Sequence, residues 1–191
     1  MSKYIFYIFS FLLFYFITEN SFAIQPSINA GDVFPDISMK GEFTAEDKKY
    51  LGFLDQKTYH LSNVKSDFLW IEIFSIYCPV CQKYADKLNT LSGLIQRDDF
   101  VNKNIKMIGI GAGNNNKEVE HFRKYFNVSF PLIPDPDFKI HKAMKETRTP
   151  LIVIVDKRSK PYKILVVQDF FKEPESLFEE IKTQLINHVI P

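Results

Sequence analysis

The chain has 191 residues, with 24 Lys and Arg against 23 Asp and Glu, a net charge of +1 and 46% hydrophobic residues. This length fits one globular domain with a sizeable core. A charge so near neutrality excludes the cationic footprint typical of nucleic-acid binding, and 15% aromatic residues exclude a disordered chain. Because the chain has only two cysteines, a scaffold of several disulfides is excluded and any cysteine chemistry must come from that pair.

The first 23 residues have the pattern of a secretory signal peptide. Lys3 is followed by an uncharged, apolar run at residues 4–17, a polar break, and small residues at Ser21 and Ala23. We expect cleavage after residue 23, which leaves a domain at residues 24–191 that is periplasmic or secreted. An uncleaved membrane anchor is the alternative, although this run would rise only about 21 Å as a helix, against a hydrocarbon core of about 30 Å.

Strand and helix patterns alternate along the first half of the domain. Residues 26–66 are mixed, and we interpret them as short strands and loops. Residues 68–74 are almost all apolar, which is typical of a strand covered on both faces. Helical spacing then runs from Cys78 to Arg97, residues 105–110 form a second buried strand, and residues 118–126 form a helix.

The second half of the domain continues the same alternation. We predict a short strand at 130–133, a short helix at 138–144, a hairpin of strands 151–155 and 164–167, and a final helix at 176–189. The inner stripe of that final helix is predicted to contain Leu177, Ile181, Leu185 and His188. The order of elements predicts an α/β fold with a mixed sheet.

Cys78 and Cys81 stand where the first long strand becomes a helix, and two residues separate them. This spacing brings the two sulfurs onto one helical turn, close enough to form a disulfide. At the helix N-terminus, Cys78 is favoured as a thiolate, whereas Cys81 should be buried one turn later. We therefore predict that Cys78 attacks a partner disulfide and that Cys81 resolves the mixed disulfide.

Three other states of this cysteine pair fit the sequence less well than a redox pair. Zinc binding would need further ligands, but there is no second pair of closely spaced cysteines and the four histidines are scattered. A purely structural disulfide across so short a loop would remove little chain entropy. The compartment predicted by the N-terminus is oxidising, where two free buried thiols are unusual. Redox chemistry is the favoured interpretation.

Two further positions complete the predicted site. Glu72 interrupts the apolar strand six residues before Cys78, on the face of the pleat that also carries Phe74. A buried carboxylate there would have a raised pKa and could exchange a proton with Cys81. Thr149 and Pro150 precede the strand at 151–155, and a cis bond between them would place the Thr149 backbone beside the sulfurs to clamp an extended substrate.

On these motifs the chain resembles the thioredoxin superfamily, in particular its extracytoplasmic TlpA/ResA-like and redoxin (AhpC/TSA-like) branch. The resemblance is carried by the active-site stretch at 74–81, the segment at 148–156 and the lead-in at 61–64. The stretch at 130–135 is similar to the helix–strand insertion of this branch. About residues 32–187 are covered.

The resemblance implies a thioredoxin-like fold, in which helices flank a central mixed sheet that has an N-terminal strand extension and a central helix–strand insertion. It implies a nucleophilic Cys78, a resolving Cys81, a cis Pro150, exchange with protein thiols and disulfides, and no bound cofactor or metal. Glu72 stands where relatives carry Asn or Asp. Tyr77 stands where they usually carry Trp, and with Thr149 and Pro150 it is assigned to substrate binding.

The direction of electron flow is left open by these residues. We favour reduction of protein disulfides, which requires an upstream electron donor, by a monomer that meets a membrane only if its N-terminal segment is uncleaved. A DsbA-like disulfide oxidase, a peroxiredoxin-like peroxidase and a thiol-based metal-binding module are the alternatives. The peroxidase motif requires a proline seven residues before the cysteine, and Ile71 occupies that place.

Overall fold

A computed structural model of the chain describes residues 28–54, 58–145, 147–168 and 172–189. The predicted signal peptide lies outside these residues. Eight strands are described: β1 Val33–Phe34, β2 Ser38–Met39, β3 Tyr59–His60, β4 Phe68–Phe74, β5 Ile105–Ala112, β6 Leu132–Asp135, β7 Leu151–Asp156 and β8 Tyr162–Gln168. The α-helices of this part of the chain are α1 Ala45–Leu51, α2 Pro79–Arg97, α3 Asp99–Asn104, α4 Asn116–Tyr125, α5 Lys139–Ala143 and α6 Pro174–Val189.

Six of the strands form one mixed sheet in the order β1-β8-β7-β4-β5-β6. Strand β4 runs parallel to β5 and antiparallel to β7, and β5 runs parallel to β6. Strands β2 and β3 form a separate two-stranded sheet. The predicted α/β architecture with a mixed sheet is confirmed, and the short strands ahead of β4 supply the expected N-terminal extension.

Strand β4 is central, and all seven of its residues are buried, because helices cover both faces of the sheet. Leu69, Ile71 and Ile73 face a core that includes residues of α1, α5 and the N-terminal strands. Phe68, Trp70 and Phe74 face the other core, which is built from α2, α3, α4 and α6. Among the described residues, none of the helices combines the length and apolar character needed to cross a bilayer.

Strand β5 is two residues longer than predicted, because its glycines pack inside the sheet rather than ending it. A Cβ atom on Gly109 would lie 2.5 Å from a Leu132 methyl carbon, and one on Gly111 would lie 2.8 Å from a Val119 methyl carbon. Only glycine leaves room for these neighbours, so both glycines allow close packing within the sheet and against α4.

Several smaller expectations differ from the structure. Helices α1 and α3 were not predicted, because each is short and mostly polar, although the capping box of α1 between Thr44 and Asp47 is a recognisable start signal. Helix α6 begins at Pro174 rather than at residue 176, since proline fits the first turn of a helix. His188 is exposed, and its ring lies beside the Phe68 ring at a centroid distance of 6.3 Å.

A buried ion pair joins the N-terminal extension to the main domain. The Arg123 guanidinium on α4 donates to both carboxylate oxygens of Asp47 on α1, at 2.8 and 2.6 Å, and to the Phe130 carbonyl oxygen at 3.1 Å. The two side chains are only 17% and 9% exposed. This two-pronged geometry fixes α1 against α4.

We expect Arg123→Met to lower the free energy of unfolding by about 3 kcal/mol, because it leaves the Asp47 carboxylate buried without its cation. The matched control is Lys124→Met, which removes the exposed pair between Lys124 and Glu120 and should cost less than about 0.5 kcal/mol. Urea unfolding of the two variants measures the difference. Equal losses would mean that the buried pair contributes no more than a surface contact.

Candidate active site

The two cysteines lie at the junction between β4 and α2. Strand β4 ends at Phe74, three loop residues follow, and Cys78 is the N-cap of α2 with extended backbone angles (φ −86°, ψ 111°). Pro79 occupies the first helical position, where its missing N–H costs nothing. The Cys81 backbone N–H donates to the Cys78 sulfur at 3.4 Å, so the sulfur caps the helix.

The environments of the two sulfurs differ. Partial burial by itself would raise the pKa of the Cys78 thiol, but hydrogen bonds from the thiol and backbone N–H of Cys81, with smaller contributions from Thr149 and Val80, lower that pKa overall. Cys81 is only 1% exposed. Burial raises the pKa of the Cys81 thiol, and the nearby charges of Glu72 and Cys78 raise it further. The pKa of Cys78 is therefore lowered at a partly exposed position, whereas the pKa of Cys81 is raised in the core.

Glu72 lies on the α2-facing side of β4 and is only 3% exposed. Its neighbours in register are Gly109 on β5 and Ile152 on β7, and neither carries a polar side chain. Burial raises the pKa of Glu72 to about 8, and the charge of Cys78 adds to that rise. Within the described residues no cation pairs with Glu72. A carboxyl group in this setting changes its protonation within the pH range in which thiols react.

Thr149 and Pro150 reach the cysteines because of the sheet topology. Strand β7 runs antiparallel to β4 and pairs Leu151 with Ile73, so the start of β7 lies beside the end of β4. The Thr149–Pro150 peptide bond is cis, as the resemblance implied. The Cys78 thiol donates to the Thr149 carbonyl oxygen, with 3.4 Å between sulfur and oxygen. Pro150 itself is buried.

Tyr77 lies on the surface beside Cys78, with its side chain 69% exposed. Its hydroxyl donates to the carboxylate of Glu118 in the first turn of α4, and this bond raises the pKa of the Tyr77 hydroxyl. The second oxygen of the Glu118 carboxylate accepts the backbone N–H of Asn115 at 2.8 Å. The tyrosine ring is thus fixed at the protein surface next to the Cys78 sulfur.

Two residues that were not predicted from the sequence hold the loop at residues 75–77, the active-site loop, between β4 and Cys78. The Asn114 side-chain oxygen accepts the backbone N–H of Ile76 at 3.0 Å, and the Gln82 side-chain amide donates to the carbonyl oxygen of Ile76 at 2.8 Å. A polar residue just beyond the end of β5 was a usable signal, because the carboxyl ends of neighbouring parallel strands lie at the same edge of a sheet.

The site contains thiol, carboxyl and backbone groups. Among the described residues, no cluster of three or more His, Cys, Asp or Glu side chains could hold a metal ion. His141 and Met144, which lie three residues apart in sequence, have separate surroundings. The His141 ring lies 2.7 Å from the Thr147 carbonyl oxygen, and Met144 is 1% exposed in the core.

Comparisons with known proteins identify the family of the chain. The Redoxin family model matches residues 29–176. The thiol-disulfide oxidoreductase ResA of Geobacillus thermodenitrificans (strain NG80-2) is 21% identical over 151 residues, which cover 79% of this chain and 77% of that protein. ResA of Bacillus subtilis (strain 168) is 22% identical over 151 residues, which cover 79% of this chain and 75% of that protein.

Solved structures share the fold at lower identity. The thioredoxin domain of a thiol-disulfide oxidoreductase from Bacteroides vulgatus is similar with a TM-score of 0.60 and 13% identity, over 83% of this chain and 99% of that chain. Mycobacterium tuberculosis AhpC is similar with a TM-score of 0.60 and 14% identity, over 85% and 96% of the two chains. Since the family model spans most of the domain and the curated relatives share one activity, the chain belongs to the Redoxin family and is a thioredoxin-like thiol–disulfide oxidoreductase.

Proposed function

We propose that this chain is an extracytoplasmic reductant of protein disulfides and that Cys78 and Cys81 are its redox pair. The observation that carries the proposal is the contrast between the two thiols. Cys78 is accessible at a helix N-terminus with a lowered pKa, whereas Cys81 is buried with a raised pKa. A dithiol that attacks with one sulfur and resolves with the other requires this contrast.

The first step is attack on the partner. The Cys78 thiolate attacks one sulfur of the partner disulfide, a new S–S bond forms, and the other partner sulfur leaves as a thiolate that takes a proton from water. Cys78 loses its negative charge in this step. Burial is the main cause of the raised pKa of Glu72 and the charge of Cys78 adds to it, so removal of that charge lowers the pKa and favours the carboxylate, which can act as a base.

The second step resolves the mixed disulfide. The Cys81 thiol gives its proton to the Glu72 carboxylate, and the resulting thiolate attacks the Cys78 sulfur. The bond from Cys78 to the partner breaks, the partner leaves as a thiolate, and the protein retains a disulfide between Cys78 and Cys81. The partner has gained two electrons, so the oxidised pair needs an upstream dithiol to return it to the reduced state.

Thr149, Pro150 and Tyr77 are proposed to bind the partner polypeptide. The Thr149 carbonyl oxygen lies 3.4 Å from the Cys78 sulfur, so a backbone N–H beside the partner's cysteine can donate to it during attack. The exposed Tyr77 ring offers an apolar surface next to the same sulfur. Backbone hydrogen bonds of this kind bind an extended polypeptide without requiring one particular sequence.

The extracytoplasmic location is supported by the N-terminal pattern. Residues 1–23 combine an initial lysine, an apolar run and a small-residue cleavage motif. A protein disulfide is a common substrate outside the cytoplasm, because disulfides persist in oxidising compartments. Location and chemistry are therefore consistent with each other.

We expect Cys78→Ala to reduce insulin-disulfide reduction to the rate of dithiothreitol alone, because no accessible thiolate is left. Cys81→Ala keeps the attacking sulfur and should accumulate a mixed disulfide with insulin, visible on a non-reducing gel. The two variants serve as controls for each other, since each removes one sulfur. Catalysis that survives in Cys78→Ala would contradict the assignment.

The Glu72→Gln variant should change how stability depends on pH. The pKa of Glu72 is about 8 in the folded chain and near its ordinary 4.5 when unfolded, so folding takes up a proton between these values. The contribution of this proton uptake by Glu72 to the free energy of unfolding is complete below about pH 4.5 and is lost as the pH rises toward 8. We expect Glu72→Gln to gain about 2–4 kcal/mol over the wild type at pH 7 and almost nothing at pH 4.

Urea unfolding across this pH series measures the effect of Glu72→Gln, and Glu179→Gln on the exposed side of α6 is the control. A stability difference that stays constant from pH 4 to pH 9 would mean that Glu72 does not titrate as proposed.

The reduction potential of the pair tests the direction of electron flow. Equilibration of the purified protein with dithiothreitol or glutathione buffers should give a value near about −270 mV, as in thioredoxin. A value near about −120 mV would identify a disulfide donor and overturn the reducing direction. A pair that never forms a disulfide would favour the metal-binding alternative.

A further inference from the structure

We propose that Asn114 is a positioning residue for the nucleophile, because it fixes the backbone two residues ahead of Cys78. The chemical consequence of this positioning rests on the proposed function, since the position of Cys78 matters for disulfide exchange only if Cys78 is the attacking sulfur. The contact itself does not depend on that proposal. Asn114 lies in the loop between β5 and α4, and its side chain is completely buried.

A tight turn brings Asn114 to this place. Gly113 has a φ of +71°, and its N–H donates to the Asp135 carbonyl oxygen at 3.0 Å. A Cβ atom at Gly113 would lie 2.3 Å from the Phe138 ring, so glycine is required for both backbone angle and space. The Asn114 backbone N–H then returns to the Gly111 carbonyl oxygen at 3.1 Å. The amide side chain is thereby fixed at the end of β5, beside the end of β4.

Both polar groups of Ile76 are held from outside the loop. Asn114 accepts its N–H at 3.0 Å, and Gln82 from the second turn of α2 donates to its carbonyl oxygen at 2.8 Å. The loop is therefore held between the β5 edge and the helix that Cys78 caps. Because Cys78 is only two residues further along, the direction of its sulfur toward the Cys81 N–H depends on where Ile76 lies.

Burial of the Asn114 amide costs free energy, and only the hydrogen bond that its oxygen accepts explains why a polar side chain lies here. Its nitrogen is buried, and no hydrogen-bond partner for it exists among the described residues. A buried donor without an acceptor is destabilising, and an apolar side chain of similar volume would avoid that cost. The contact made by the oxygen is therefore the reason for a polar residue here, and that contact is with the active-site loop.

The test compares Asn114→Ala with Asn104→Ala. Asn104 is also buried and donates to the Phe100 carbonyl oxygen at 2.8 Å, but it precedes β5 at the opposite end of the strand. The readouts are hydrogen exchange of the Ile76 amide and the pH profile of Cys78 alkylation by iodoacetamide. Neither readout requires a substrate, so the inference can hold or fail whether or not the protein reduces disulfides.

We expect Asn114→Ala to speed exchange of the Ile76 amide and to shift the Cys78 alkylation profile upward by about half a pH unit, which slows alkylation about threefold below the pKa. Asn104→Ala should leave both readouts as in the wild type while losing a similar amount of thermal stability. If Asn114→Ala does not fold, Gln82→Ala removes the other contact to Ile76 from an exposed position, and it should shift the profile in the same direction.

Three results would overturn the inference. An unchanged Cys78 profile in Asn114→Ala, despite faster exchange at Ile76, would show that the contact is structural and does not affect the thiol. Unchanged hydrogen exchange of the Ile76 amide would show that the contact from Asn114 does not hold that amide in place. An equal shift in Asn104→Ala would show that general destabilisation, rather than the position of Ile76, controls Cys78.

Discussion

At the N-terminus of α2, the sulfur of Cys78 takes the place that a serine, threonine or aspartate oxygen usually occupies in a helix cap, and accepts the backbone N–H of Cys81. The contact that caps the start of the helix thus also stabilises negative charge on the Cys78 sulfur. It also fixes the distance between the cysteines, because the donor belongs to the second cysteine. The difference between the two thiols follows from their positions. Cys78 caps the start of the helix near the surface, whereas Cys81 lies one turn into the core.

The order of strands in the sheet brings the remaining groups to that helix cap. Strand β4 leads into the cap, and its neighbours β5 and β7 place Asn114 and Thr149 on either side of it. Glu72 comes from within β4 itself, two positions before its end. Residues that are far apart in sequence therefore meet because three adjacent strands reach the same edge, and the loop between β4 and α2 has little freedom of its own.

Much of this arrangement could be predicted from local patterns. The apolar run of β4, the helical spacing after Cys78 and the two-residue gap between the cysteines are all short-range signals. The side of the strand on which Glu72 lies also follows from the alternation of a strand. The hydrogen-bond partners of Asn114 and Glu118 could not be predicted, because each partner belongs to the loop before Cys78; the sequence indicated only that Asn114 lies just beyond β5. The full length of β5 could not be predicted either, since the neighbours of its glycines come from another strand and from α4.

Helix α4 carries two of the contacts described above at different points along its length. Near its start Glu118 holds Tyr77 beside Cys78, and near its end Arg123 holds α1 through Asp47. A fragment that began at β4 would contain every strand and helix that touches the cysteines, yet it would expose the guanidinium of Arg123 without its carboxylate. A chain that keeps this ion pair therefore starts upstream of α1, so the N-terminal extension stabilises the domain that carries the cysteines.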